Sequence, residues 1–163
     1  MAQLIERVVG EKGDELALAD EFGETTWAEL NEQANRCISG LRAAGVGTGD
    51  TIAVMSGNRR ELFVATAAYG HGGMVCVPVN WHWTAEELGY VIDDSDAKAL
   101  IVDGRFVDTA VEAARDHAEE LSRCPLRVVI AEEAPEGFIT WGELLASGDP
   151  GEPDDQSMGG PMF

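Results

Sequence analysis

Runs of consecutive apolar residues alternate along this chain with stretches whose apolar positions recur every three to four residues. The first pattern marks strands buried on both faces, and the second marks helices with one face turned inward. Residues 16–19 read as a short strand, and residues 24–27 pair with it across the turn Glu21-Phe22-Gly23. Leu30, Ala34, Cys37, Ile38 and Leu41 then share one face of a helix. Thr26-x-x-Glu29 opens that helix as a capping box, in which two side chains satisfy free N–H groups of the first turn. Gly45 closes it, where a left-handed residue is favoured.

The alternation repeats. Thr51–Met55 is a continuous apolar strand, and Asn58-x-x-Glu61 predicts a helix with Leu62, Phe63, Thr66 and Ala67 on its inner side. Residues 74–79 form the next strand. Thr84-x-x-Glu87 opens a helix with Leu88, Val91 and Ile92 inward, and Trp83 with Leu88 occupies the hydrophobic-staple positions. Residues 99–102 are a strand. Val107, Ala110, Val111, Ala114, Ala118 and Leu121 make one helical stripe, ended by Cys124-Pro125, and residues 126–131 are the last predicted strand. Thr140-Trp141-Gly142-Glu143-Leu144 repeats the cap chemistry of Thr26-Trp27-Ala28-Glu29-Leu30.

Apolar strands separated by amphipathic helices predict an α/β layered domain, a mostly parallel sheet with helices on both faces joined by right-handed crossovers. That domain covers residues 1–146. Residues 147–163 form a Gly/Pro/Asp-rich linker without periodicity, leading to Pro161-Met162-Phe163, which reads as the start of a truncated strand.

Charge narrows the field. Lys plus Arg number 11 and Asp plus Glu 30 within 163 residues, a net charge of −19. Nucleic-acid binding and docking on an anionic bilayer both need clustered cations, so neither is expected. No segment approaches the roughly 18 apolar residues of a membrane span, and Met1–Arg7 has neither the basic nor the apolar region of a secretory signal. Cys37, Cys76 and Cys124 are odd in number and far apart, which fits a reducing cytoplasm better than a disulfide framework. With His71, His82 and His117 equally scattered, no metal-ligand cluster emerges.

Candidate chemistry is sparse. Gly45-Val46-Gly47-Thr48-Gly49-Asp50 has Asp in place of the third glycine of G-x-G-x-x-G, and it follows a helix where that motif follows a strand. It reads as a connector, and Gly70-His71-Gly72-Gly73 reads as a closely packed helix end. The two lysines, Lys12 and Lys98, lack the setting of a Walker loop, so tight nucleotide binding by this chain alone is not expected. Ser56 has Val54 where a nucleophile elbow needs glycine, and Cys37 and Cys76 fall on buried faces. Carboxylates such as Asp93, Asp94, Asp96, Glu132, Glu133, Asp154 and Asp155 read as a solvated surface. In parallel sheets ligands meet the loops at the carboxyl ends of strands. Here those loops are Ser56-Gly57-Asn58, Asn80-Trp81-His82-Trp83 and Asp103-Gly104-Arg105. The second is either a helix start with local bonding or a contact surface for a ligand or another domain.

Several blocks in order resemble a known family. Thr25-Thr26-Trp27-Ala28-Glu29-Leu30, Gly40-Leu41, residues 45–53 and Asn58 look like the start of an adenylate-forming enzyme. The likeness continues through residues 73–80, Thr84-Ala85-Glu86-Glu87-Leu88 and residues 94–103. This is the superfamily of acyl-CoA synthetases, peptide-synthetase adenylation domains and luciferases. Val79-Asn80-Trp81-His82-Trp83-Thr84 is most similar to the fatty acyl-CoA synthetase branch.

The resemblance implies the N-terminal part of an ATP-dependent acyl-CoA ligase. Gly160-Pro161-Met162-Phe163 resembles the strand that leads into the family's phosphate loop. The loop itself, the aromatic-Gly-x-Thr-Glu motif, the ribose-binding aspartate, the hinge and the C-terminal lysine have no counterpart here. No catalytic, cofactor-binding or metal-binding residue of the family can therefore be placed on this sequence. The full-length enzyme would use ATP, Mg²⁺ and CoA on a fatty or other carboxylic acid. This chain is expected to bind none of these cofactors, to be inactive alone, to partner the missing C-terminal portions, and to self-associate through apolar surface. Two other readings stand beside it. One is a free-standing interaction or regulatory domain using Trp81-His82-Trp83 or the Gly-rich tail; the other is a small-molecule binder of flavodoxin-like shape.

Overall fold

The structure is a computed structural model that describes residues 2–154. It opens with helix α1 (Ala2–Lys12), an element not foreseen in the apolar pattern, which lays Ile5 and Val9 on the core. The hairpin of β1 (Leu16–Asp20) and β2 (Gly23–Thr26) is antiparallel as predicted. Its turn is closed by the Phe22 N–H donating to Asp20 Oδ1 at 2.8 Å.

The chain continues as α2 (Trp27–Ala43), β3 (Thr51–Met55), α3 (Arg60–Gly72), β4 (Val75–Pro78), α4 (Ala85–Asp94) and β5 (Ala97–Asp103). A single 3-10 turn over Gly104–Phe106 leads into α5 (Val107–Asp116) and α6 (Ala118–Leu121). β6 (Leu126–Ile130), β7 (Ile139–Thr140) and α7 (Trp141–Ala146) complete the described domain.

β3 to β7 form one sheet in the order β4-β3-β5-β6-β7, with every neighbouring pair parallel. The layered α/β architecture is therefore as the sequence predicts. From β3 the chain steps outward to β4, then returns past β3 to β5 and builds away on the other side. The loops leaving β3 and β5 diverge, and a crevice opens between them at the carboxyl ends of the strands.

Central strand β5 divides the core. Ala99 and Ile101 face a cluster with Leu30, Ile38, Leu41, Val64 and Tyr69, whereas Leu100 and Val102 face Leu88, Ile92, Ala110 and Leu121. The strand alternation thus supplies two apolar layers, one under α2 and α3 and one under α4 to α6. Helix starts are fixed by sequence: Thr26 with Glu29, Thr84 with Glu87 and Thr140 with Glu143 all form reciprocal capping boxes. Truncating such a cap typically costs about 1 kcal/mol. Gly45 and Gly73 take positive φ values of 89° and 73° just past α2 and α3, the helix ends expected of them.

Four expectations change. Asn58 does not cap α3; Arg59 occupies the N-cap, and the Glu61 carboxylate accepts from the Arg59 guanidinium at 3.2 Å instead of reaching the backbone. With that start, α3 buries Val64, Ala65, Ala68 and Tyr69, and Phe63 points outward at 51% exposure. The stripe from Val107 to Leu121 is not one helix. It breaks at His117, whose ring seats against Gly89 where an added Cβ would come within 3.0 Å, and Val111 is exposed while Ala113 is buried. Finally, β7 adds a short strand beyond β6, paired through Ile139 and Thr140. The strand expected at Pro161-Met162-Phe163 lies outside the described residues.

Candidate functional site

The crevice at the divergence of β3 and β5 is a cleft of about 480 Å³ lined by Ser56, Gly57, Asn58, Trp81, Arg105 and Phe106. All three loops singled out from the sequence contribute to it or flank it. Trp81 stacks on Phe106 with ring centroids 5.2 Å apart and planes tilted by 18°. The His82 ring packs against the Trp81 ring, with centroids 3.4 Å apart and planes tilted by 33°. Asn80 holds this loop in place: its Oδ1 accepts the His82 N–H at 3.0 Å, and its carbonyl accepts the Trp83 N–H at 3.0 Å. Trp83 turns away and packs on the cluster that contains Leu88, consistent with a staple. The loop is therefore both a locally bonded helix start and, through Trp81, one wall of the cleft.

Arg105, in the lining, is held by Asp103, the fully buried last residue of β5. Its carboxylate accepts the Arg105 N–H at 3.0 Å, Arg105 Nη2 at 2.6 Å and Arg59 Nη1 at 3.3 Å. Burial by itself would raise this carboxyl; the Arg105 side chain and backbone N–H, with the Arg59 charge, outweigh it and hold Asp103 below the ordinary carboxylate value. Arg105 passes so close to Gly57 that a Cβ there would lie 2.5 Å from Nη2. Glycine at 57 thus lets the guanidinium lie across the end of β3.

Arg59 and Arg60 extend the network to the hairpin. The Arg59 guanidinium lies 4.2 Å over the Phe22 ring, and Arg60 binds Asp20 Oδ1 at 3.0 Å, the Glu24 carbonyl at 2.7 Å and Thr25 Oγ1 at 3.0 Å. Burial again works against the Asp20 charge, but the backbone N–H groups of Arg60 and Phe22 and the Arg60 charge hold its carboxyl below normal. Phe106, Arg59 and Arg60 were not foreseen as site residues. An adjacent pair of arginines in so acidic a chain was the available signal.

Ser56 Oγ donates to the Gly57 carbonyl at 2.9 Å, and no base addresses it among the described contacts. Among the described residues no group of three His, Cys, Asp or Glu side chains could hold a metal ion. The glycines of residues 45–50 lie at the amino end of β3, away from the cleft. Their amides are engaged within the fold, Gly49 N–H with the Gly73 carbonyl at 2.9 Å and Gly47 N–H with Asp50 Oδ2 at 2.7 Å. These glycines therefore form no phosphate cradle at the cleft. Cys37 and Cys124 are buried, and burial pushes both thiols up to about 12; half-buried Cys76 is raised for the same reason. They act as small apolar side chains.

A family model described as "AMP-binding enzyme" matches residues 5–157. The chain belongs to the AMP-binding enzyme family. It is 32% identical over 158 residues to a 3-oxocholest-4-en-26-oate–CoA ligase of Rhodococcus rhodochrous, covering 92% of this chain and 27% of that enzyme. A long-chain-fatty-acid–CoA ligase of Thermus thermophilus is 34% identical over 125 residues, covering 77% of this chain and 22% of the enzyme. The fold of an anthranilate CoA ligase crystallised with anthranoyl-AMP superposes with a TM-score of 0.84 at 21% identity, over 96% of this chain and 29% of that one. This AMP-binding family member thus corresponds to an N-terminal part and spans about a quarter of the length of the curated relatives it matches.

Proposed function

We propose that this chain works as the N-terminal part of an AMP-forming acid–CoA ligase. In that reaction a carboxylate oxygen attacks the α-phosphorus of ATP and expels pyrophosphate; the thiol sulfur of CoA then attacks the acyl carbon and AMP leaves. The single observation that carries the reading is the family match across residues 5–157 together with CoA ligases as relatives. Residues 1–146 are the α/β unit against which the rest of the enzyme assembles, and residues 147–163 connect to it. ATP, Mg²⁺ and CoA belong to the whole enzyme. The fatty-acid branch is supported by the Thermus thermophilus relative, and a cytoplasmic setting by the free, buried thiols.

Alone, the chain is inactive. This is supported by the cleft, which has no phosphate cradle among the described residues. Purified polypeptide incubated with ATP, Mg²⁺, a fatty acid and labelled pyrophosphate is expected to give no exchange above a protein-free blank, and reproducible exchange by pure material would overturn this. For the ligase reading itself, the coding sequence downstream of codon 163 should continue in frame into a Ser/Thr/Gly-rich loop. A stop codon there would favour the free-standing interaction domain.

The isolated chain also self-associates. Leu16, Phe22, Phe63 and Tyr90 are between 51% and 67% exposed, an apolar surface that later parts of a ligase would cover. Sedimentation equilibrium should show a mean mass that rises with concentration. A constant monomer mass of 17.4 kDa at high concentration would refute it.

A further inference from the structure

The polar stretch after α7 has the composition of a free linker, yet its first residues lie along α2. Backbone and side-chain acceptors at alternate positions meet donors from one side of that helix. Arg36 Nη1 donates to the Gly148 carbonyl at 3.0 Å, Asn35 Nδ2 to the Pro150 carbonyl at 3.2 Å, and Asn31 Nδ2 to Glu152 Oε1 at 2.5 Å. The strap bends at residues 148 and 151, and with those bends positions 148, 150 and 152 all present acceptors to α2.

Both partners are prepared for this contact. Glu32 Oε1 accepts from Arg36 Nε at 2.9 Å and holds the guanidinium beside the strap. Asn35 is only 2% exposed, so its donor needs a protein partner, and the Pro150 carbonyl provides it. Gly148 is buried, and a Cβ there would collide with the Arg36 carbonyl, coming within 2.7 Å of its carbon. At Asp149-Pro150 and Glu152-Pro153 each proline restricts the preceding residue to extended backbone, which lowers the entropy lost on docking. Asp149 Oδ1 accepts the Gly151 N–H at 2.7 Å and shapes the bend between them.

We propose that Asn31, Asn35 and Arg36 form a clamp that holds residues 148–152 as a fixed strap on α2, and so sets where and in which direction the backbone departs at residue 154. The clamp reads mainly backbone carbonyls, so only Gly148 is demanded by sequence. It acts in the same way whether the chain works within a ligase or by itself.

The test is proteolysis of the full 163-residue chain with an endoprotease that cuts on the amino side of Asp and Glu, following the Gly148–Asp149 and Gly151–Glu152 bonds, neither of which precedes a proline, and reading the second bond for the Gly148 variant. Where opening is fast relative to cutting, the rate reports the open population. In the natural chain both bonds should be cut at least about tenfold more slowly than in a synthetic peptide of residues 146–154. Arg36→Ala and Gly148→Val should each raise the rate at least about fivefold, and Arg36→Lys, which keeps a donor, should restore part of the protection. Gly148→Val leaves every α2 side chain in place, so it tests the strap even if an α2 variant folds poorly. Cleavage of the natural chain at the peptide's rate would overturn the clamp. Natural-chain rates in both Arg36→Ala and Gly148→Val would overturn it equally.

Discussion

Asp103→Ala should lower the unfolding free energy by about 3 kcal/mol at neutral pH, because a buried ion-pair network loses its central carboxylate and Arg59 is left with Glu61 alone. Asp103 is fully buried, whereas the Arg59 side chain is only 12% exposed and cannot reach water without moving. Arg105 is 47% exposed and can swing outward, which keeps the effect at the lower end for a buried pair. Equilibrium urea unfolding with an unchanged slope measures the loss directly. A midpoint equal to that of the natural chain would show that the network contributes nothing.

The same variant has a signature in acid. The Asp103 carboxyl is held below its ordinary value in the folded protein, so its stabilising contribution is complete above about pH 4, the unfolded value. That contribution disappears as pH falls through the lower folded value. The stability gap between the natural chain and Asp103→Ala should therefore be constant from pH 7 to pH 5 and shrink below pH 4. A gap of the same size at pH 3 would assign the destabilisation to lost packing and not to charge.

Ile101→Ala should be as damaging, about 3–4 kcal/mol, through the lost transfer energy and the cavity that remains. Ile101 is fully buried in the middle of β5, and its register partners are Val54 on β3 and Val128 on β6. Strands pair on both sides of it and helices cover its face, so little can collapse into the vacated space. Val111→Ala serves as the comparison: its side chain is 37% exposed, and the change should stay within about 0.5 kcal/mol. Equal losses at the two positions would contradict the two-layer core.

The sheet could be read from sequence because a parallel strand buried on both faces must be apolar at nearly every position, as Thr51–Met55 and residues 99–102 are. Capping boxes were legible because the chemistry is local: a threonine and a glutamate three residues on are sufficient. The same locality misled at Asn58-x-x-Glu61, where Arg59 claims the Glu61 carboxylate through a contact the spacing does not reveal. Apolar character is not burial: Phe63 and Val111 fit the helical period yet face outward, and the break at His117 depends on Gly89 in another helix. The cleft was partly visible, since strand-end loops in such sheets converge on a crevice. The ion pairs beside it were not. The Arg59–Asp103 bond joins the start of α3 to β5, and the Arg60–Asp20 bond ties α3 to the hairpin, across distances that only the folded chain closes.

The position of β3 in the sheet order also bears on how the protein is made. β3 leaves the ribosome before either of its neighbours, and α3 and β4 follow it directly, so one side is paired early. Its other side, along Ile52 to Met55, stays open until β5 has been synthesised. Throughout that interval the nascent polypeptide carries an apolar ribbon with unfilled main-chain partners. A chaperone has most to shield there, and slow translation before codon 97 would prolong the exposure.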